Sequence, residues 1–169
     1  MNSINKLTDK INESILETFK QVVMIDISVA GKPMFHQLGP TKDSITCMIG
    51  LAGVHNGVLA VHFSKLVALD VASKLLLMEF EEINVDVQDA IGAIVNILSE
   101  NLIPILSDRD KDIQLSLPSI MCGDEYEYTF SQLNVDQVIL PFETPVGIFN
   151  VEFGLMTKNR KSGHKVKSG

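Results

Sequence analysis

The residues Val85–Pro104, VDVQDAIGAIVNILSENLIP, carry the reading that decides the fold. At about 100° per residue, Val87, Ile91, Ile94, Val95, Leu98 and Leu102 gather on one side of a helix. Burying such a set contributes roughly 9–18 kcal/mol gross, at about 1.5–3 kcal/mol per side chain. Opposite them, Asp89, Ala93, Asn96 and Glu100 form a narrow stripe spaced i, i+4, i+7 and i+11. Packing makes no demand on that stripe, so it is free to be a site or a wetted face. Asn84 or Asp86 is expected to cap the helix, where a carboxylate also suits the positive end of the dipole. Pro104 has no N–H to offer the carbonyl of residue 100, so the helix is expected to stop or kink there.

Upstream, Ser64 reads as the cap of another helix, Lys65 to about Met78, with Leu66, Leu69, Ala72, Leu75 and Leu76 turned inward. Before it lie two nearly continuous apolar runs, Ile45–Ala52 and Val58–Phe63, joined through His55, Asn56 and Gly57. Asn-Gly supplies the positive φ values of a type I′ turn, so the pair reads as a hairpin of central strands. Residues 3–22 repeat apolar side chains at Ile4, Leu7, Ile11, Ile15, Phe19 and Val22, an amphipathic helix. Met24–Ala30 alternates like a half-buried strand.

Downstream, Ile113–Met121 alternates until Pro118, and a proline there implies an edge or a bulge. Tyr126–Phe130, Gln137–Phe142 and Gly147–Met156 read as further strands, the last two joined by a Thr-Pro turn. The order α-β-β-β-α-α-β-β-β-β gives an α+β fold, a mostly antiparallel sheet with helices packed on it.

Of the 169 residues, 46% are hydrophobic and 21% charged, a globular composition for one domain. The charge of −7 is uneven: five basic residues and no acidic one follow Thr157, leaving nine basic against 21 acidic residues before it. An acidic body repels phosphate backbones, so no nucleic-acid partner is expected. No unbroken apolar run of membrane-spanning length occurs, and the N-terminus is unlike a signal peptide, so a cytoplasmic protein without membrane contact is expected. The tail KNRKSGHKVKSG lacks apolar anchors and reads as disordered. Cys47 and Cys122 read as buried small hydrophobes. The scattered histidines His36, His55, His62 and His164 offer no metal-ligand spacing.

Familiar catalytic frames are missing: no phosphate-binding Gly-rich loop, no GxSxG and no HExxH. The carboxylate pairs Glu81–Glu82 and Asp124–Glu125 read as solvated loop residues. The helical stripe is the one polar set whose spacing collects several functional groups on one face.

The run from GVLAVHFSKLVALDVASKLL through DVQDAIGAIVNILSENLIPIL to IQLSLPSIMCG resembles the chemotaxis phosphatases CheX and CheC, CheX more closely. That resemblance is good over roughly residues 45–123 and rests on a strand, a helix, an acidic linker and a helix reading approximately DAxGEIANxIxGN. It implies hydrolysis of the aspartyl phosphate of a CheY-like response regulator. In the family a Glu and an Asn in an ExxN frame work together: the Asn orients the attacking water and the Glu engages a lysine of the partner. The magnesium involved belongs to the regulator, so no cofactor is expected on this chain. Position by position, Asp89, Gly92, Asn96 and Asn101 match, while Ala93 stands at the family Glu and Glu100 at a family Gly. Asn96 is thus the candidate for orienting water. Glu100 first, or Asp89, is the candidate for a displaced carboxylate, and Asp89, Ala93 and Asn101 are candidates for docking the partner.

The resemblance implies one CheX-like domain over residues 1–157, followed by the basic tail 158–169, and a homodimer joined through sheet edges, with Pro118 and the strand near Val138–Leu140 compatible with a managed edge. Two functions stay open: a weak CheX-like phosphatase, or a catalytically inactive CheX-like binding or adaptor module in signalling or motility.

Overall fold

The structure is a computed structural model, and it describes residues 2–35, 41–53, 56–107, 113–126 and 135–156. The basic tail, the histidines at 36, 55 and 164, the polar turn at 108–112 and residues 127–130 of a predicted strand lie outside the described residues. Helix α1 (Asn2–Thr18) runs into a π-helical turn (Phe19–Val23). Strands β1 (Ser28–Val29), β2 (Thr41–Gly53) and β3 (Gly57–Ser64) follow, then helices α2 (Lys65–Leu76) and α3 (Val85–Leu106). Strands β4 (Ile113–Leu115), β5 (Ser119–Tyr126), β6 (Val135–Thr144) and β7 (Gly147–Met156) complete the fold. The element order through α3 is the expected one, with the π-helical turn added.

All strand pairings are antiparallel, in the order β1-β6-β7-β3-β2, with β4 and β5 both on the outer side of β2. The registers Cys47↔Val61, Val61↔Val151 and Leu140↔Val151 line up one row of apolar side chains across four strands. These belong to a single core with Ile11 and Ile15 of α1, Val67 and Val71 of α2, and the inner face of α3. Phe19 stacks on Phe149 at 4.9 Å, and Phe149 on Phe63 at 5.2 Å and on Phe142 at 5.3 Å, which locks the end of α1 to the sheet.

Local signals are obeyed where they are strong. Ser64 Oγ accepts from Val67 N–H at 3.4 Å, and Asn84 Oδ1 accepts from Val87 N–H at 3.0 Å. Asn84, and not Asp86, is therefore the cap of α3.

Several expectations need correction. Helix α3 does not stop at Pro104 but runs two residues past it, to Leu106. Glu100 and Pro104 are both exposed, so the carbonyl that loses its donor faces solvent and the helix survives. The strand expected at Met24–Ala30 shrinks to Ser28–Val29, because Met24 takes a left-handed conformation (φ 62°) that ends the π-helical turn. The run Ile113–Met121 is two strands. Leu51 pairs with Leu115 and Met48 with Ser119, so Ile49 and Gly50 oppose Ser116, Leu117 and Pro118. One extra residue is a β-bulge, held by Ser116 N–H to Gly50 O at 2.9 Å and Gly50 N–H to Ser116 Oγ at 2.7 Å. Cys122 is exposed, whereas Cys47 is buried as expected. By length and composition alone α3 is apolar enough to cross a bilayer. Its apolar side is the side packed in the core, which accounts for that hydropathy.

Candidate functional site

Every apolar residue assigned to the inner face of α3 is buried: Val87, Ile91, Ile94, Val95, Leu98 and Leu102. On the other side Asp89, Ala93 and Glu100 are exposed and Asn96 is half-buried. The structure thus brings these four onto one accessible stripe. Two walls flank it. A Cβ placed on Gly92 would lie 3.5 Å from Ile120 Cδ1 and 3.9 Å from Pro118 Cβ, so the bulge between β4 and β5 crosses the helix there. Across the stripe, Asn101 Nδ2 donates to Thr18 Oγ1 of α1 at 3.0 Å, and that hydroxyl donates to Ser14 O at 2.7 Å.

Asn101 is therefore not gathered with the others. It stands about 140° around the axis from Asn96 and ties α3 to α1. Within the stripe, Asn96 Nδ2 donates to Glu100 Oε1 at 3.2 Å. Ala93 presents only a methyl group beside them. Leu117, thrown outward by the bulge, is 87% exposed at the rim, a feature no local pattern announced.

At the N-terminal end of α3 the surface turns acidic around a cavity of about 190 Å³ lined by Asp43, Lys65, Glu82, Cys122 and Asp124 among others. Glu82 and Asp124, read as unconnected loop carboxylates, thus come together, and Asp124 belongs to β5. Glu82 Oε2 accepts from Lys65 Nζ at 2.9 Å, and this bond raises the lysine pKa above its ordinary value. Gln88 Nε2 reaches Cys122 Sγ at 3.6 Å, joining this end of the helix to β5.

The sequence reading missed a row of polar side chains across the sheet face opposite the helices. Tyr126 OH lies 2.6 Å from Thr46 Oγ1, which lies 2.9 Å from His62 Nδ1. His62 Nε2 meets Glu152 Oε2 at 2.8 Å, and Gln137 Nε2 donates to Glu152 Oε1. Thr, His and Glu in that sequence have the connectivity of a nucleophile, base and orienting acid. Thr46 is fully buried, however, and His62 and Glu152 nearly so, so no substrate reaches the hydroxyl. The row is structural. His62 within the apolar run VLAVHF was the available signal, since a histidine there must be paired. Among the described residues, no group of three His, Cys, Asp or Glu side chains could hold a metal ion.

No curated protein matches the sequence. Among solved structures, the chemotaxis protein CheX from Desulfovibrio desulfuricans superposes with a TM-score of 0.77 at 24% identity, covering 89% of this chain and 99% of that one. CheX in a CheX–CheY–BeF3–Mg2+ complex from Borrelia burgdorferi has a TM-score of 0.71 at 19% identity, covering 89% and 97%. The FliM middle domain from H. pylori shares the fold at a TM-score of 0.65 and 9% identity, covering 91% and 90%. The family model for Chemotaxis phosphatase CheX matches residues 45–143, more than half of the chain and the whole of α3 with its exposed stripe; this chain belongs to the CheX chemotaxis phosphatase family.

Proposed function

We propose that this chain acts on a CheY-like response regulator, presenting the outer face of α3 to the phosphorylated aspartate and hydrolysing it slowly. The observation that carries the reading is Asn96, an amide on an accessible stripe of a helix whose opposite face is wholly buried. Its Oδ1 accepts a hydrogen bond from a water and aims the water's lone pair at phosphorus. The P–O bond to the aspartate breaks as the new one forms, leaving inorganic phosphate and a free carboxylate. Such a reaction needs positioning more than covalent chemistry, so one well-held amide contributes usefully. The magnesium is the regulator's. Asp89 and Glu100 are the carboxylates available on the stripe for a cationic group of the partner, because Ala93 has none to offer.

Loss of an anchor at 93 slows turnover by about 10²–10³, or roughly 3–4 kcal/mol at about 1.36 kcal/mol per decade. The exposed Ala93 also favours a second reading, a binding module of the same fold that docks a regulator without turning it over. Phosphate release from phosphorylated receivers of the same genome separates the two. The enzyme reading expects release to fall in Asn96→Ala and to rise 10-fold or more in Ala93→Glu. Binding with an unchanged release rate in wild type and both variants would leave only the module. A homodimer through a sheet edge belongs to the same proposal, with light scattering as its check.

A further inference from the structure

Glu100 stands on the exposed stripe one turn beyond Asn96, and its Oε1 lies 3.2 Å from Asn96 Nδ2. An ionised carboxylate has no proton to donate, so the amide edge facing it must be the NH2 edge. A flipped amide would set two acceptors against each other. The bond therefore fixes which atom Asn96 turns away from Glu100, and that atom is Oδ1.

The direction of side chains on a helix adds a second argument. Cα–Cβ bonds tilt toward the N-terminus. A long side chain at 100 leans back over Asn96, whereas one at 93 leans away from it and toward a partner. Positions 93 and 100 each lie about a turn from Asn96, yet they are not interchangeable. In the free protein the bond is formed, with water competing for it at the exposed Glu100. Docking of a partner removes that water and strengthens it.

Resting on the water-orienting reading of Asn96, we propose that Glu100 is a positioning residue: it holds the Asn96 amide with Oδ1 presented to the attacking water, and does not anchor the partner's cation. Among the described residues none bonds to the Asp89 carboxylate, which leaves Asp89 as the carboxylate for that contact.

Two measurements on the full chain test this. In nitrogen–proton spectra of the free protein, Asn96→Ala assigns the side-chain amide pair of Asn96. Glu100→Ala is expected to shift that pair toward the positions of a solvated amide, and Glu100→Gln, whose carbonyl still accepts, to retain it. With a phosphorylated receiver, Glu100→Ala is expected to lower kcat by about 10- to 100-fold with KM unchanged. Glu100→Gln should restore most of that rate, and Asn96→Ala/Glu100→Ala should be no slower than Asn96→Ala. A raised KM at constant kcat would make Glu100 the anchor and overturn the proposal. An amide pair unmoved in Glu100→Ala overturns it whatever the activity. A full rate in Asn96→Ala overturns the water-orienting reading instead, and the spectrum alone then decides the Asn96–Glu100 geometry.

Discussion

Asn96 and Ala93 are one turn apart on the same accessible stripe; the proposed phosphatase reading rests on the amide of the first, and the docking-module reading on the methyl group of the second. The other residues of chemical interest are decided by burial. Cys47 lies within the core, and desolvation of the thiolate pushes its pKa up to about 12. Cys122 is exposed beside Gln88. Native protein is therefore expected to react with one equivalent of a thiol reagent near neutral pH, and with a second only after unfolding. Rapid loss of both thiols in the native state, followed by absorbance or mass, would contradict the burial of Cys47. Both cysteines sit in similar apolar runs, so their different fates were not legible locally. β2 is covered by helices on the face that carries Cys47, while Cys122 belongs to the outermost strand.

At the scale of elements, α3 is anchored by its inner face and begun by a single cap. Asn84→Ala removes the acceptor of Val87 N–H and is expected to lower stability by ~1 kcal/mol, about 2–4 °C in Tm for a chain of this size. Asp86→Ala loses only a favourable dipole contact, a few tenths of a kcal/mol at an exposed site. Equal losses in thermal melts would reassign the cap. The helix, its register and its two faces were readable because each follows from apolar spacing within about five turns. The bulge was half readable: Pro118 signalled an interruption, but that it lies over Gly92 and pushes Leu117 to the rim depends on pairing with β2, some 65 residues earlier.

For the whole molecule, the buried row through Thr46, His62 and Glu152 ties strands from both halves of the chain. Removing one member of a buried charged or hydrogen-bonded pair costs about 3–5 kcal/mol, because the partner stays desolvated and unmatched. Glu152→Ala is accordingly expected to cut stability severely. Glu82→Ala, which breaks the solvent-exposed contact with Lys65 (Glu82 side chain 79% exposed), is expected to change it by less than about 1 kcal/mol. Urea unfolding of both variants checks the contrast, and a mild Glu152→Ala would mean that the row is not structural. Neither partner's position hinted at the other, since they are 90 residues apart.

The sequence by itself determined the order of elements through α3, the two-faced character of α3 and the closing β6–β7 hairpin, because periodicity and turns act over a few residues. It also carried, through its resemblance to CheX, the family to which the chain belongs. Only the tertiary structure decided what borders that stripe. It drew Asn101 aside to Thr18, set Pro118 over Gly92, and gathered Glu82 and Asp124 around Lys65. Those contacts follow from strand register and helix packing, which no local pattern contains.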